Sequence, residues 1–130
     1  MELFVLEIKR VLRPGGFAII STENLASWHN IFALVLGWQP FSVTNFMPGR
    51  SLGNPLSLHK ARVDKVPAYW CHDKVLAYLA LKDLFNEFDF KVIKLIGSGY
   101  YPFSAFFGEI DVRHSHWITF LLQKREKNES

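Results

Sequence analysis

A chain of 130 residues with 49% hydrophobic and 15% aromatic side chains has the material for one domain around one core, which excludes a disordered or collagen-like polypeptide. Its formal charge of +3 owes three cations, Lys124, Arg125 and Lys127, to the terminal run, so the excess reads as a solvated tail rather than a nucleic-acid-binding face. The single cysteine, Cys71, excludes an intramolecular disulfide framework, and a reducing cytoplasm is the expected setting.

Near the start, Leu3, Leu6, Ile8, Val11 and Leu12 fall close to one stripe of a helix, with Glu2, Glu7, Lys9 and Arg10 mostly elsewhere. Arg13-Pro14-Gly15-Gly16 stops that helix, because proline disfavours helix in the residue before it and the glycines permit a tight reversal. Residues 17–21 form a near-continuous apolar run, which predicts a strand buried on both faces of a parallel sheet. Helix, turn and buried strand together predict an α/β layer.

Ser21-Thr22-Glu23-Asn24 follows as a polar cluster at the carboxyl end of that strand, the place where ligands sit in open α/β sheets. Thr22 or Asn24 is also placed to cap the next helix. That helix carries Leu25, Trp28, Ile31, Phe32, Val35 and Leu36 on one broad face and ends at Gly37, suited to a left-handed cap. The longest apolar stretch, residues 31–38, is far short of the ~20 residues of a membrane span. A soluble or at most membrane-touching protein is expected.

Residues 38–73 show no convincing period and are punctuated by prolines and glycines, yet contain Trp38, Phe41, Phe46, Tyr69 and Trp70; they read as a lid-like, partly ordered cover. A helix follows, starting either after Asp73 or near Tyr78. Residues 90–96 read as a strand broken by Gly97-Ser98-Gly99, and residues 117–122, apolar on both faces, as a central strand before the charged tail.

Glu7-Ile8-Lys9-Arg10-Val11-Leu12-Arg13-Pro14-Gly15-Gly16-Phe17 resembles the E-x-x-R-V-L-K/R-P-G-G stretch that precedes the fifth strand of class I S-adenosylmethionine-dependent methyltransferases, and Ala18-Ile19-Ile20-Ser21 supplies the buried strand. His72, then Leu81-Lys82-Asp83-Leu84-Phe85 and Phe88-Asp89-Phe90-Lys91-Val92, looks like that family's H-x-x-x-F-T-x-x-x-L-x-x-L-F-x-x-x-G-F-x-V. Ala77 stands where the family has a Ser or Thr cap, and Asp89 where it has glycine. The resemblance covers nearly the whole chain but only the second half of the family's fold. It implies an α/β, partial Rossmann-like methyltransferase sheet: C-terminal strands with flanking helices and the last strand antiparallel, over residues 1–124, with a charged tail at 125–130.

The resemblance also implies S-adenosylmethionine as cofactor. The family's glycine-rich loop is missing, and the one G-x-G, Gly97-Ser98-Gly99, leads to Tyr100-Tyr101-Pro102 rather than to a helix that would present N–H groups. No cofactor-binding residues are therefore assigned, and the chain alone is expected not to bind the cofactor. What remains is the acceptor-side wall, with Asn24, Trp28, His29, His59 and His72 as candidate substrate-binding residues. His29 is a candidate general base, since an imidazole titrates near neutrality, or else a polar residue on the exposed side of its helix. His114-Ser115-His116 places two imidazoles on the same side of an extended segment, with Asp111 and Glu109 nearby, but no spacing fixes a third ligand, so no metal site is assigned. The expected partner is a chain or segment carrying the missing half, or a second copy, since a half-sheet leaves an unpaired edge. A non-catalytic interaction or oligomerisation module is the alternative reading.

Overall fold

The computed structural model describes residues 2–44, 51–57 and 74–126. They form a mixed α/β arrangement: helix α1 (Glu2–Val11), strand β1 (Phe17–Glu23), helix α2 (Trp28–Val35), helix α3 (Tyr78–Glu87), strand β2 (Phe90–Ser98), a short helix α4 (Phe107–Ile110) and strand β3 (Trp117–Lys124). Single 3₁₀ turns lie at Phe41–Val43 and Val112–His114.

The sheet has the order β1-β3-β2, and β3 runs antiparallel to both neighbours. The last strand is thus antiparallel and central, as its two apolar faces predict. β1 and β2 point the same way but do not touch, so the expected parallel pairing of residues 17–21 is replaced by an antiparallel one with β3, from Phe17 opposite Gln123 to Glu23 opposite Trp117. β1 is an edge strand among the described residues.

One face of the sheet carries the core. Val5 from α1 and Leu81 and Phe85 from α3 pack on Phe90, Ile118, Phe120 and Leu122, with the Phe85 and Phe120 rings edge to face at 5.0 Å. The expected burial of residues 17–21 on both faces does not occur: Ile19 is 75% and Phe17 57% exposed, and Ile96 and Trp117 share their open face. The physical reason is that α1 and α3 lie on the same side, and no described element covers the other.

α1 is turned from its predicted stripe. Val5, Ile8 and Leu12 face the core, while Leu3, Leu6 and Val11 are exposed. Its last carbonyls are held by Lys124, whose Nζ donates to Lys9 O at 2.5 Å and Leu12 O at 2.7 Å, and a cation suits a helix C-terminus. Lys124 therefore ends β3 and does not belong to a solvated tail. The reversal after α1 behaves as its glycines require, with Gly15 at φ 74° and Gly16 N–H bonded to Arg13 O at 2.9 Å.

α2 inverts its predicted face: His29, Asn30 and Ala33 are buried, whereas Phe32, Val35 and Leu36 are exposed. The inner side is claimed by hydrogen bonds, since Asn30 Nδ2 donates to Asn24 O and Ser42 Oγ, and its Oδ1 accepts the Ser42 N–H. Beyond it Gly37 takes φ 72°, the expected left-handed position. α3 starts after Ala77, the later of its two predicted starts, and ends before Asp89, which holds φ 62° where the resembling family has glycine. β2 runs two residues past its predicted end, through Gly97 and Ser98.

Beside β1, between α1 and α3, lies a recess of about 140 Å³ lined by Phe4, Val5, Ile20, Ser21, Thr22, Leu81 and Phe85. Within the predicted cover, Gln39 N–H bonds Gly53 O, Asn54 Nδ2 bonds Gln39 O, and the hydroxyls of Thr44, Ser51 and Ser57 meet. No helix among the described residues is long and apolar enough to cross a membrane.

Candidate functional site

At the carboxyl ends of β1 and β2, where β3 begins, three stretches converge: residues 24–30, 99–103 and 111–116. The backbone ties them together, because Asn24 N–H donates to His116 O at 2.9 Å and His116 N–H to Gly99 O at 2.8 Å.

Asn24 is fully buried and spends its side chain on structure. Nδ2 donates to Arg113 O at 2.7 Å and Ser115 O at 3.0 Å, and Oδ1 accepts the Ala26 N–H at 3.1 Å. Neither Asn24 nor Thr22 caps α2. The residue in the cap position is Ser27, whose hydroxyl makes no cap bond, and Asn24 instead builds an Asx turn before it. Asn24→Ala leaves two carbonyls without their donor, and equilibrium urea unfolding is expected to register a loss of about 2 kcal/mol.

His29 lies on the inner side of α2 at 6% exposure, not on an exposed one. Its ring meets His116 edge to face at 4.5 Å, Phe41 at 5.5 Å and Tyr101 at 6.3 Å. Nδ1 is buried without a hydrogen-bond partner among the described residues. Burial, and secondarily the neighbouring His116, lower its pKa to about 4. A neutral imidazole is thereby fixed at physiological pH, but it is enclosed by rings. His116 is lowered too, by burial, against the opposing influence of Glu23.

Trp28 occupies the rim. Its Nε1 donates to Tyr100 Oη at 2.8 Å, Tyr100 Oη donates to Asp111 Oδ2, and the same Oδ2 meets His114 Nδ1 at 2.7 Å. The His114 ring stacks on the indole, with centroids 4.7 Å apart and planes inclined by 29°. Burial works against ionisation of Asp111, but the bonds from Tyr100 and His114 outweigh it and hold the carboxyl below its usual range. Burial and the bond to Asp111 raise the Tyr100 hydroxyl. Phe103 and Phe107 contact Tyr100, Phe32 contacts Trp28 and Phe103, and all three phenyl rings are substantially exposed.

Of the candidate substrate-binding residues, the structure thus brings Asn24, Trp28 and His29 to one strand end; His59 and His72 lie outside the described residues, as does Cys71. His114 and His116 do not form a pair on an extended segment. His114 belongs to a 3₁₀ turn and stacks on Trp28, while His116 turns to His29. No three His, Cys, Asp or Glu side chains converge as a metal site among the described residues. The Asp111–His114 hydrogen bond is not among the sequence expectations, although the i, i+3 spacing of the two residues is a sign of a local pair.

Gly97-Ser98-Gly99 closes against protein rather than cradling a ligand: a Cβ at Gly97 would stand 2.2 Å from Gly108 O and 2.7 Å from Ser115 Oγ. No protein-family model matches the chain, and no curated protein matches it significantly.

Proposed function

We propose that this chain is the acceptor-side portion of an S-adenosylmethionine-dependent methyltransferase acting on a small molecule, and that the donor is held by a glycine-rich half outside residues 1–130. The strand arrangement carries the reading. A strand follows the Glu7–Phe17 motif, a second follows the Leu81–Phe85 helix motif, and the last runs antiparallel between them, consistent with the order and direction the resemblance implies.

Two further observations fit it. Among the described residues β1 is an edge strand, flanked by exposed Phe17 and Ile19 and by the recess at Phe4, an arrangement compatible with a further strand and a further layer. The polar and aromatic cluster sits at the carboxyl ends of β1 and β2, where an acceptor would meet a donor held on neighbouring strands.

Titration calorimetry with S-adenosylmethionine tests the reading. The chain alone is expected to give no binding heat at micromolar concentration, and the same chain extended in frame through the coding sequence upstream of Met1 is expected to bind. Micromolar binding by the chain alone, or no binding by the extended chain, overturns it.

A second reading, a non-catalytic interaction or oligomerisation module, is favoured by the outward apolar side of α2, where Phe32, Val35 and Leu36 stand exposed. Light scattering that finds a strict monomer at high concentration counts against self-association.

A further inference from the structure

We infer that Asp111 and His114 form a base dyad at the rim of the strand-end cluster, with His114 Nε2 placed to take the proton of a phenolic or enolic hydroxyl on a flat, apolar acceptor. The inference rests on the acceptor-side reading above and assigns to that site a base and a substrate class.

The hydrogen-bond chain fixes the direction. A carboxylate at 2.7 Å from Nδ1 accepts that nitrogen's proton, and the bond made by one ring nitrogen decides which of the two is left bare. The carboxylate favours the tautomer with its proton on Nδ1, which leaves the lone pair on Nε2, and Nε2 makes no hydrogen bond among the described residues. Asp111 is itself held: Tyr100 donates to the same Oδ2, and Trp28 Nε1 supports the Tyr100 oxygen. The indole under the imidazole fixes the ring plane. A base oriented by a hydrogen-bonded carboxylate is the general device by which an imidazole accepts a proton without losing its orientation.

The step balances within these groups. The acceptor's O–H bond breaks, its proton passes to Nε2, and the electron pair stays on oxygen. The imidazolium that results is compensated by the ionised Asp111, which keeps its charge throughout. Asp111 is the positioning residue and His114 the base.

The substrate class follows from proton affinity and from the wall. An imidazole is far better matched to phenols and enols than to aliphatic alcohols. The exposed rings of Phe32, Phe103 and Phe107, linked through Trp28 and Tyr100, offer faces and edges on which a planar carrier stacks.

Long-range ¹H–¹⁵N correlation of the histidine rings, with catechol as the phenol probe, tests the dyad on the full chain without any donor. His114 is expected as the Nδ1–H tautomer, with an Nε2 resonance that moves on adding catechol and stays put with cyclohexanol. Asp111→Asn is expected to mix the tautomers and weaken the catechol response at least tenfold, and Tyr100→Phe to weaken it several-fold while His114 remains stacked on Trp28. An Nε2–H tautomer in the parent chain, an unmoved Nε2 with catechol, or an equal response to cyclohexanol overturns the inference. None of these readouts needs the cofactor, so failure of the dyad and failure of the methyltransferase reading are separately visible.

Discussion

Gly97→Ala is expected to destabilise the fold by about 3 kcal/mol, at the upper end of ordinary overpacking penalties, measured as a lower urea midpoint at unchanged slope. The added methyl would stand 2.2 Å from the carbonyl oxygen of Gly108 and 2.9 Å from Ser115 Cβ. Neither neighbour is a flexible side-chain end. The Gly108 carbonyl belongs to α4, and Ser115 is buried with its hydroxyl 2.8 Å from Val112 O and 3.0 Å from Trp117 O. Relief requires α4 and the following 3₁₀ turn to swing off the end of β2. Asp111 joins α4 to that turn and His114 ends it, so the same substitution is expected to broaden the His114 ring resonances. Gly37→Ala is the natural control: its Cβ would touch nothing within 4 Å, and only its φ of 72° resists. A Gly97→Ala loss no larger than that of Gly37→Ala would show that α4 yields freely.

Much of the fold was legible because local signals and tertiary packing agree. Proline and paired glycine end α1, the two apolar faces of residues 117–122 mark a central strand, and Gly37 and Asp89 adopt the left-handed positions that their places after helices demand. The misreadings share one physical cause. Periodicity says which residues prefer burial, but burial needs a covering element, and the described elements cover only one face. Ile19 and Val35 are as apolar as Ile118, yet at 75% and 78% exposure they have nothing above them. In α2 the inner side went instead to Asn30 and His29, whose polar atoms and rings meet Ser42, Asn24 and His116, partners that no 3.6-residue period reveals.

For the candidate site, the sequence indicated a strand end but not the contacts that tie its residues together. The polar cluster after the first strand pointed to Asn24, the resemblance added Trp28 and His29, and the three stand at one strand end. What joins them is long-range: Asn24 reaches Arg113 and Ser115, and Trp28 reaches Tyr100, 72 positions away. The Asp111–His114 pair, by contrast, is local enough for spacing to expose it.

Acidification is expected to remove about 3 kcal/mol of stability between pH 6.5 and pH 4 through His29 alone, since its pKa falls from 6.5 in the unfolded chain to about 4 in the fold. The sign follows from which state binds the proton. Below pH 6.5 the unfolded chain takes up a proton that the folded chain refuses, so stability is complete above that value, declines as pH falls, and levels off near 4. His116, also lowered by burial, acts in the same direction, though Glu23 opposes its shift. Asp111, held below its usual range, adds a loss of the same sign at lower pH, where its carboxylate must be protonated. The cause for His29 is the enclosure by Phe41, Tyr101 and His116, with Nδ1 lacking a hydrogen-bond partner among the described residues. Urea unfolding across the range checks it, with His29→Gln as the non-titrating comparison. The parent is expected to lose stability at up to about 1.4 kcal/mol per pH unit for each histidine refusing a proton, and the variant to show a visibly shallower slope. Equal slopes would place the acid sensitivity elsewhere and show that the His29 pocket opens to admit the proton without unfolding.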